Sequence, residues 1–242
     1  MSKPHRHVSP TFGRNWLVLR AATAGLATLG VLAGLIVNID RAGRERQDLA
    51  LVLANYFSFF TILTALCTAV SLTVAVVWWA RHPDAPTESR GIAIALLTVT
   101  SAVILVGVVY NVLLRGVPSA IAETDPPMIS LLDRFTIEAL HVGLPMLLII
   151  DLVFAPRRRV VGWWALAILT GYPVLWTAYT MVRGGLVPDP DGSKSYWYPY
   201  PFLDPNGAGG WPSVWAHIGA ITVGFLVMGV ALIATTRVRA GR

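Results

Sequence analysis

Long uncharged stretches alternate with short charged ones along this chain. Apolar residues dominate over about 16–38, 51–80, 91–114, 129–154, 162–182 and 212–235. Each stretch can cross the ~30 Å hydrocarbon core of a bilayer as a helix rising ~1.5 Å per residue. The pattern predicts an all-α polytopic membrane protein, a bundle of six transmembrane helices. The breaks are chemical. "IDRAGRERQD" is too charged for lipid, "RHPDAPTESRG" and "ETDPP" carry prolines, "APRRRVVG" is short and basic, and "GGLVPDPDGSKS" is turn-forming throughout. No repeat and no soluble domain stands out, so residues 1–242 read as one integral membrane domain with basic tails at 1–15 and 236–242. The first apolar run, from Trp16 to about Asn38, is long enough to span and reads as a helix rather than a cleaved signal.

Composition agrees: 55% of residues are apolar, 13% are charged and mean hydropathy is +0.62. The net charge of +6 lies in tails and short loops, which makes it a topology signal rather than a nucleic-acid footprint. With the N-terminus inside, eleven basic residues fall in inner segments (Lys3, Arg6, Arg14, Arg81, Arg90, Arg157, Arg158, Arg159, Arg237, Arg239, Arg242). Six fall outside (Arg41, Arg44, Arg46, Arg115, Arg183, Lys194). Both termini are therefore expected in the cytoplasm. The Ala-, Val- and Arg-rich composition and short loops suit a bacterial inner membrane. The single cysteine, Cys67, rules out an internal disulfide and reads as a packing residue.

Ionisable residues inside a membrane mark candidate sites. The fourth stretch holds Arg134, Glu138 and His141 within about 60° of one another on a helix. Asp133 lies to the side, and Asp151 lies near the inner end where Arg157–Arg159 can pair with it. Pro145 predicts a kink beside His141. The second stretch carries Ser58, Thr61, Thr64, Thr68 and Ser71 in one stripe, which suits protein or water rather than lipid. Counted from their outer ends, Thr61 lies roughly 15 Å deep and His141 roughly 18 Å. If their helices touch, the two form a nucleophile and its base. Hydroxyls in membrane helices also serve as helix glue, and a buried histidine often only bonds a neighbour. The outer loop 183–211, with "YWYPYPFLDPNGAGGW", reads as an interfacial belt or a lid over a cavity. No G-x-S-x-G, H-E-x-x-H or C-x-x-C motif is present, and His141 and His217 differ too much in depth, by roughly 10 Å, to ligate one haem.

Three stretches carry a family resemblance: "SFFTILTALCTAV", "HVGLP" with its apolar run to Asp151, and "YPYPFLDPNGAGGW". They resemble the androgen-induced and androgen-dependent membrane proteins, which include hydrolases of fatty acid esters of hydroxy fatty acids, and most closely their bacterial six-span relatives. The resemblance runs from the second to the sixth span. It implies an intramembrane threonine nucleophile at Thr61 and a histidine at His141, with Ser58 in the threonine's place if the register slips by three. The family's asparagine–histidine pair is absent, and "FTIEAL" stands there.

The expected function is a lipid ester hydrolase. Thr61 attacks, His141 is the base, Glu138 orients the imidazole, and Ser58, Thr64 or Arg134 stabilises the oxyanion. No metal or cofactor is needed, and the partners are the bilayer and a lipid or fatty-acyl substrate arriving from it. The alternative is a non-catalytic transporter or lipid-binding protein using Arg134, Glu138 and His141 as a buried polar site. A structural subunit whose polar residues only knit helices is a third reading.

Overall fold

The computed structural model describes residues 10–116 and 123–241, all helix and loop with no strand among them. Helices run as α1 (Pro10–Arg44), α2 (Leu49–Tyr56), α3 (Phe60–Arg81), α4 (Arg90–Val109), α5 (Pro127–Glu138), α6 (Leu144–Phe154), α7 (Ala165–Gly184) and α8 (Gly210–Gly241). One π-helical turn, Tyr110–Leu114, follows α4, and another, Ala139–Gly143, joins α5 to α6. Six helical segments are long and apolar enough to cross a membrane.

Two tail expectations change: Pro10–Arg14 already belongs to α1, and α8 continues through residues 236–241. Lys3, Arg6 and Arg242 lie outside the described residues. The second apolar stretch is also two helices, not one. Its break at Phe57–Phe59 falls inside "NYFSFFTILT".

Helices α1, α3, α4 and α5–α6 close a ring, each packed on the next. Ala27, Val31, Ile62, Leu96, Val103, Leu140 and Leu144 fill its core. Helices α7 and α8 pack on each other and on α4, around Ala165, Leu169 and Phe225. Outward positions such as Val70, Val74 and Val77 on α3 and Val223, Val227 and Val230 on α8 are exposed, and their three- and four-residue spacing makes an apolar stripe fit for acyl chains.

Small residues on α1 set the level of everything that follows. Gly30 and Gly34 leave room that a Cβ would fill: Leu140 Cδ2 lies 2.7 Å from that of Gly30, and Tyr56 Oη 2.9 Å from that of Gly34. This is small-xxx-small packing. Tyr56 Oη donates to the Val31 carbonyl at 2.5 Å, and Thr136 Oγ1 to the Gly30 carbonyl at 3.3 Å. The α2–α3 break and the π turn before α6 are thus pinned to one turn of α1.

Arginines at the far end of α1 are neutralised by acids. Arg41 donates to Asp125 and, at 2.8 Å, to Asp133, while Arg44 bonds Asp40 at 2.7 Å and Asp125. Asp133, flagged as an intramembrane acid, is therefore a partner of Arg41. Hydrogen bonds from Arg41 and then Arg44 hold the Asp125 carboxyl below the usual carboxylate range. Because its folded value is depressed, its stabilisation is complete above pH ~4 and is lost as pH falls through the folded value. Asp125→Asn should cost about 1–2 kcal/mol at neutral pH, after screening of the partly exposed arginines, and almost nothing once the wild type is acidified below that window. Thermal unfolding of both proteins across pH 3–7 checks this.

Candidate functional site

Helix α3 begins without a side-chain cap: its N-cap is Phe59, with extended backbone. The first helical bond runs from Leu63 N–H to the Phe59 carbonyl, so Phe60, Thr61 and Ile62 keep N–H groups outside the ladder. The Phe60 and Thr61 amides face the phenol oxygen of Tyr200, and Thr61 Oγ1 lies 3.5 Å from the same oxygen. Tyr200 comes from the loop between α7 and α8. Burial pushes its phenol up, while the Thr61 hydroxyl and the two amides pull it down. The sum is upward, so it stays neutral at physiological pH.

Most hydroxyls in the bundle bond back to their own helix: Thr23, Thr28, Thr68, Thr73, Thr100 and Thr170 each donate to the carbonyl four residues before. Thr61 and Thr64 instead turn to tyrosines of other elements, Thr64 Oγ1 lying 3.0 Å from Tyr172 Oη. Ser58 does both. Its Oγ donates to the Ala54 carbonyl at 2.7 Å and lies 3.0 Å from Tyr179 Oη, and its own carbonyl accepts from Trp176 Nε1 at 3.0 Å. The break places Thr61 one residue into the spanning helix, not ten residues in, because the chain unwinds at Phe57–Phe59.

His141 sits in the π turn. Pro145 has no N–H, so the His141 carbonyl lacks its helical donor; Asn111 Nδ2 supplies one at 3.2 Å. The expected kink is thus taken up as a π turn. Nδ1 of His141 faces the Ile137 carbonyl at 2.9 Å, which assigns the proton to Nδ1 and leaves Nε2 as the acceptor. The ring stacks on Tyr110, 3.9 Å between centroids. Gly107 is required here: a Cβ would lie 2.9 Å from Pro145 Cγ and 3.1 Å from the His141 carbonyl oxygen. Gly107→Ala should cost about 1–3 kcal/mol by overpacking, and the histidine's NMR resonances should shift with the loss in melting temperature.

Glu138 does not orient the imidazole. It is exposed and bonds Arg115, Nη1 to Oε1 at 2.9 Å, and Arg115 Nε reaches Asn111 Oδ1 at 2.7 Å. Arg134, on the same face one turn earlier, does not pair with Glu138, whose partner is Arg115. Arg134 is exposed, whereas Leu140, in the π turn that follows, packs into the core.

Thr61 and His141 make no hydrogen bond to each other. Their neighbours Ile62 and Leu140 point into the ring's core, which turns the Thr61 and His141 side chains sideways. Each instead lies behind a tyrosine that faces one cavity. That cavity, of about 470 Å³, is bounded by α4, α7, α8 and the α7–α8 loop. Phe60, Tyr110, Trp176, Tyr200, Phe202 and Phe225 are among its walls. The stacked rings of Tyr200 and Phe202, 5.2 Å apart, close one side, so the aromatic loop is a cavity wall. Sequence reading missed Tyr110, Asn111, Tyr172 and Tyr200 as site residues. The π turns carry no sequence signal beyond Pro145, and the Tyr–Pro repeats read equally as an interfacial belt.

No metal-ligating group of three His, Cys, Asp or Glu side chains occurs among the described residues. No protein-family model, curated protein or solved structure matches the chain.

Proposed function

We propose that this chain is a bacterial inner-membrane hydrolase of lipid esters, with both termini in the cytoplasm and Thr61 as nucleophile. The single observation that carries the reading is the start of α3. There a threonine hydroxyl free of its own helix lies beside two backbone amides outside the ladder, behind Tyr200, whose ring lines an apolar cavity. An acyl chain fits the cavity, and its ester carbonyl takes the acceptor position of the Tyr200 phenol against the Phe60 and Thr61 amides. Such preorganised donors stabilise a developing oxyanion. Thr61 Oγ1 forms the bond to the carbonyl carbon; because Thr61 and His141 make no hydrogen bond, a water in the cavity relays the threonine proton to His141 Nε2, and the alcohol leaves with that proton. Water then cleaves the acyl-threonine. The resemblance to the androgen-induced family assigns the same two residues.

A second reading, a non-catalytic lipid-binding or transport protein, is favoured by one observation: Thr61 and His141 bond different partners. In that case the cavity holds a lipid and Thr61 only fixes Tyr200. Labelling in membranes by a fluorophosphonate probe separates the two. Covalent labelling that is lost in Thr61→Ala and kept in Ser58→Ala supports the hydrolase. Equal labelling of wild type and Thr61→Ala, with lipid still bound, selects the carrier.

A further inference from the structure

A second polar cluster lies at the opposite end of the bundle, independent of the hydrolase reading. Arg20 of α1 donates to Asp151 of α6 from Nε at 2.6 Å and Nη2 at 3.0 Å, and Trp16 Nε1 adds a bond of 2.8 Å. Arg20, Glu88 and Asp151 are 2%, 4% and 3% exposed. Asp151 was expected to pair with the 157–159 arginines, and Arg158 does face it, Nη1 to Oδ2 at 3.5 Å, but Arg20 is its main partner.

Charge does not balance here. Asp151 offsets Arg20. Glu88 is then shared between Arg20 at 3.5 Å and Arg158 at 3.6 Å, while the Arg157 guanidinium lies 5.2 Å from the centroid of Trp79. Three guanidinium groups therefore meet two carboxylates. The Arg158 side chain is 5% exposed; its Nη1 is in ion-pair range of Glu88 and Asp151, but neither terminal nitrogen makes a hydrogen bond, and Arg157 Nη1 and Glu88 Oε2 are buried in the same condition. A guanidinium cannot shed its proton, so a buried surplus of positive charge calls for a counter-anion.

Backbone strain points the same way. Arg157 has φ of +59°, a left-handed conformation that is costly for a residue with a Cβ. The turn carries the buried nitrogens of consecutive arginines inward. It is tied down by Glu88 N–H to the Arg157 carbonyl at 2.9 Å and Arg159 Nε to the Glu88 carbonyl at 2.8 Å.

Tryptophans locate this end. Arg90 lies over Trp164 at 4.5 Å and Arg237 over Trp163 at 4.8 Å, with Trp16 and Trp79 beside the cluster. A tryptophan–arginine girdle of this kind sits at headgroup level. The abundant anion at that level is lipid phosphate, and guanidinium forks match its oxygens. Exposed Phe154 and Val160 flank the arginines with apolar surface for the lipid's chains.

We propose that Arg157 and Arg158 hold the phosphate of an anionic membrane lipid at this end of the bundle. The test uses the full chain, delipidated in detergent, with thermal unfolding followed on adding phosphatidylglycerol, phosphatidylcholine or inorganic phosphate. Phosphatidylglycerol should raise the midpoint and phosphatidylcholine should not. Arg157→Gln and Arg158→Gln should weaken the apparent affinity roughly tenfold, and Arg90→Gln should leave it unchanged. If Arg158→Gln does not fold, Arg157→Gln, whose half-buried side chain lies against Trp79, carries the test alone. A shift reproduced by inorganic phosphate makes the ligand a free anion and overturns the lipid assignment. No shift with any addition, or an equal loss in Arg90→Gln, overturns the site.

Discussion

On the proposed hydrolase mechanism Thr61→Ala should lower lipid-ester hydrolysis by at least about 10³-fold, because removing a covalent nucleophile leaves only binding and oxyanion stabilisation. Fold and cavity survive, since the residue is half-buried and its hydroxyl makes one long contact, 3.5 Å to Tyr200. The measurement is turnover of a chromogenic acyl ester by purified protein, with the melting temperature recorded alongside. His141→Gln removes the free Nε2 and should fall by a comparable factor, while Ser58→Ala, already satisfied by the Ala54 carbonyl, should retain most activity. Equal rates for Thr61→Ala and wild type would end the nucleophile assignment.

Asp151→Asn costs about 3–5 kcal/mol of stability, the price of leaving a buried cation without its partner. Arg20 is 2% exposed and Asp151 3%, so water cannot replace the lost charge. Chemical unfolding in detergent should show the loss, and a matched apolar pair, Arg20→Met with Asp151→Leu, should recover most of it. A loss below 1 kcal/mol in the single variant would mean that the cluster is well hydrated.

Six spans were legible because a bilayer imposes a length on every apolar run, and the chain supplies charge or proline at each boundary. For Asp151 the sequence points to Arg157–Arg159 nearby in the chain, whereas the tertiary structure brings Arg20 of α1 closest, with Arg158 second. The break in "NYFSFFTILT" was not legible. Its residues are all compatible with helix, and what stops the helix is tertiary: Tyr56 is drawn to the Val31 carbonyl, Trp176 takes the Ser58 carbonyl and Tyr200 meets the freed amides. The Glu138 partner was read wrongly for a related reason, because helix spacing favours a neighbour at i,i+3 while the structure offers Arg115 across a π turn.

Sequence by itself therefore determined the apolar character of the chain, the six helices long and apolar enough to cross a membrane, and the candidate hydroxyls and imidazole, since these follow from composition and local period. The tertiary structure decided which hydroxyls leave their own helix and which tyrosine each one meets. It also decided that Thr61 and His141 meet different tyrosines, Tyr200 and Tyr110, which line one cavity. Side-chain direction at a helix break depends on what packs against it, and no local period encodes that.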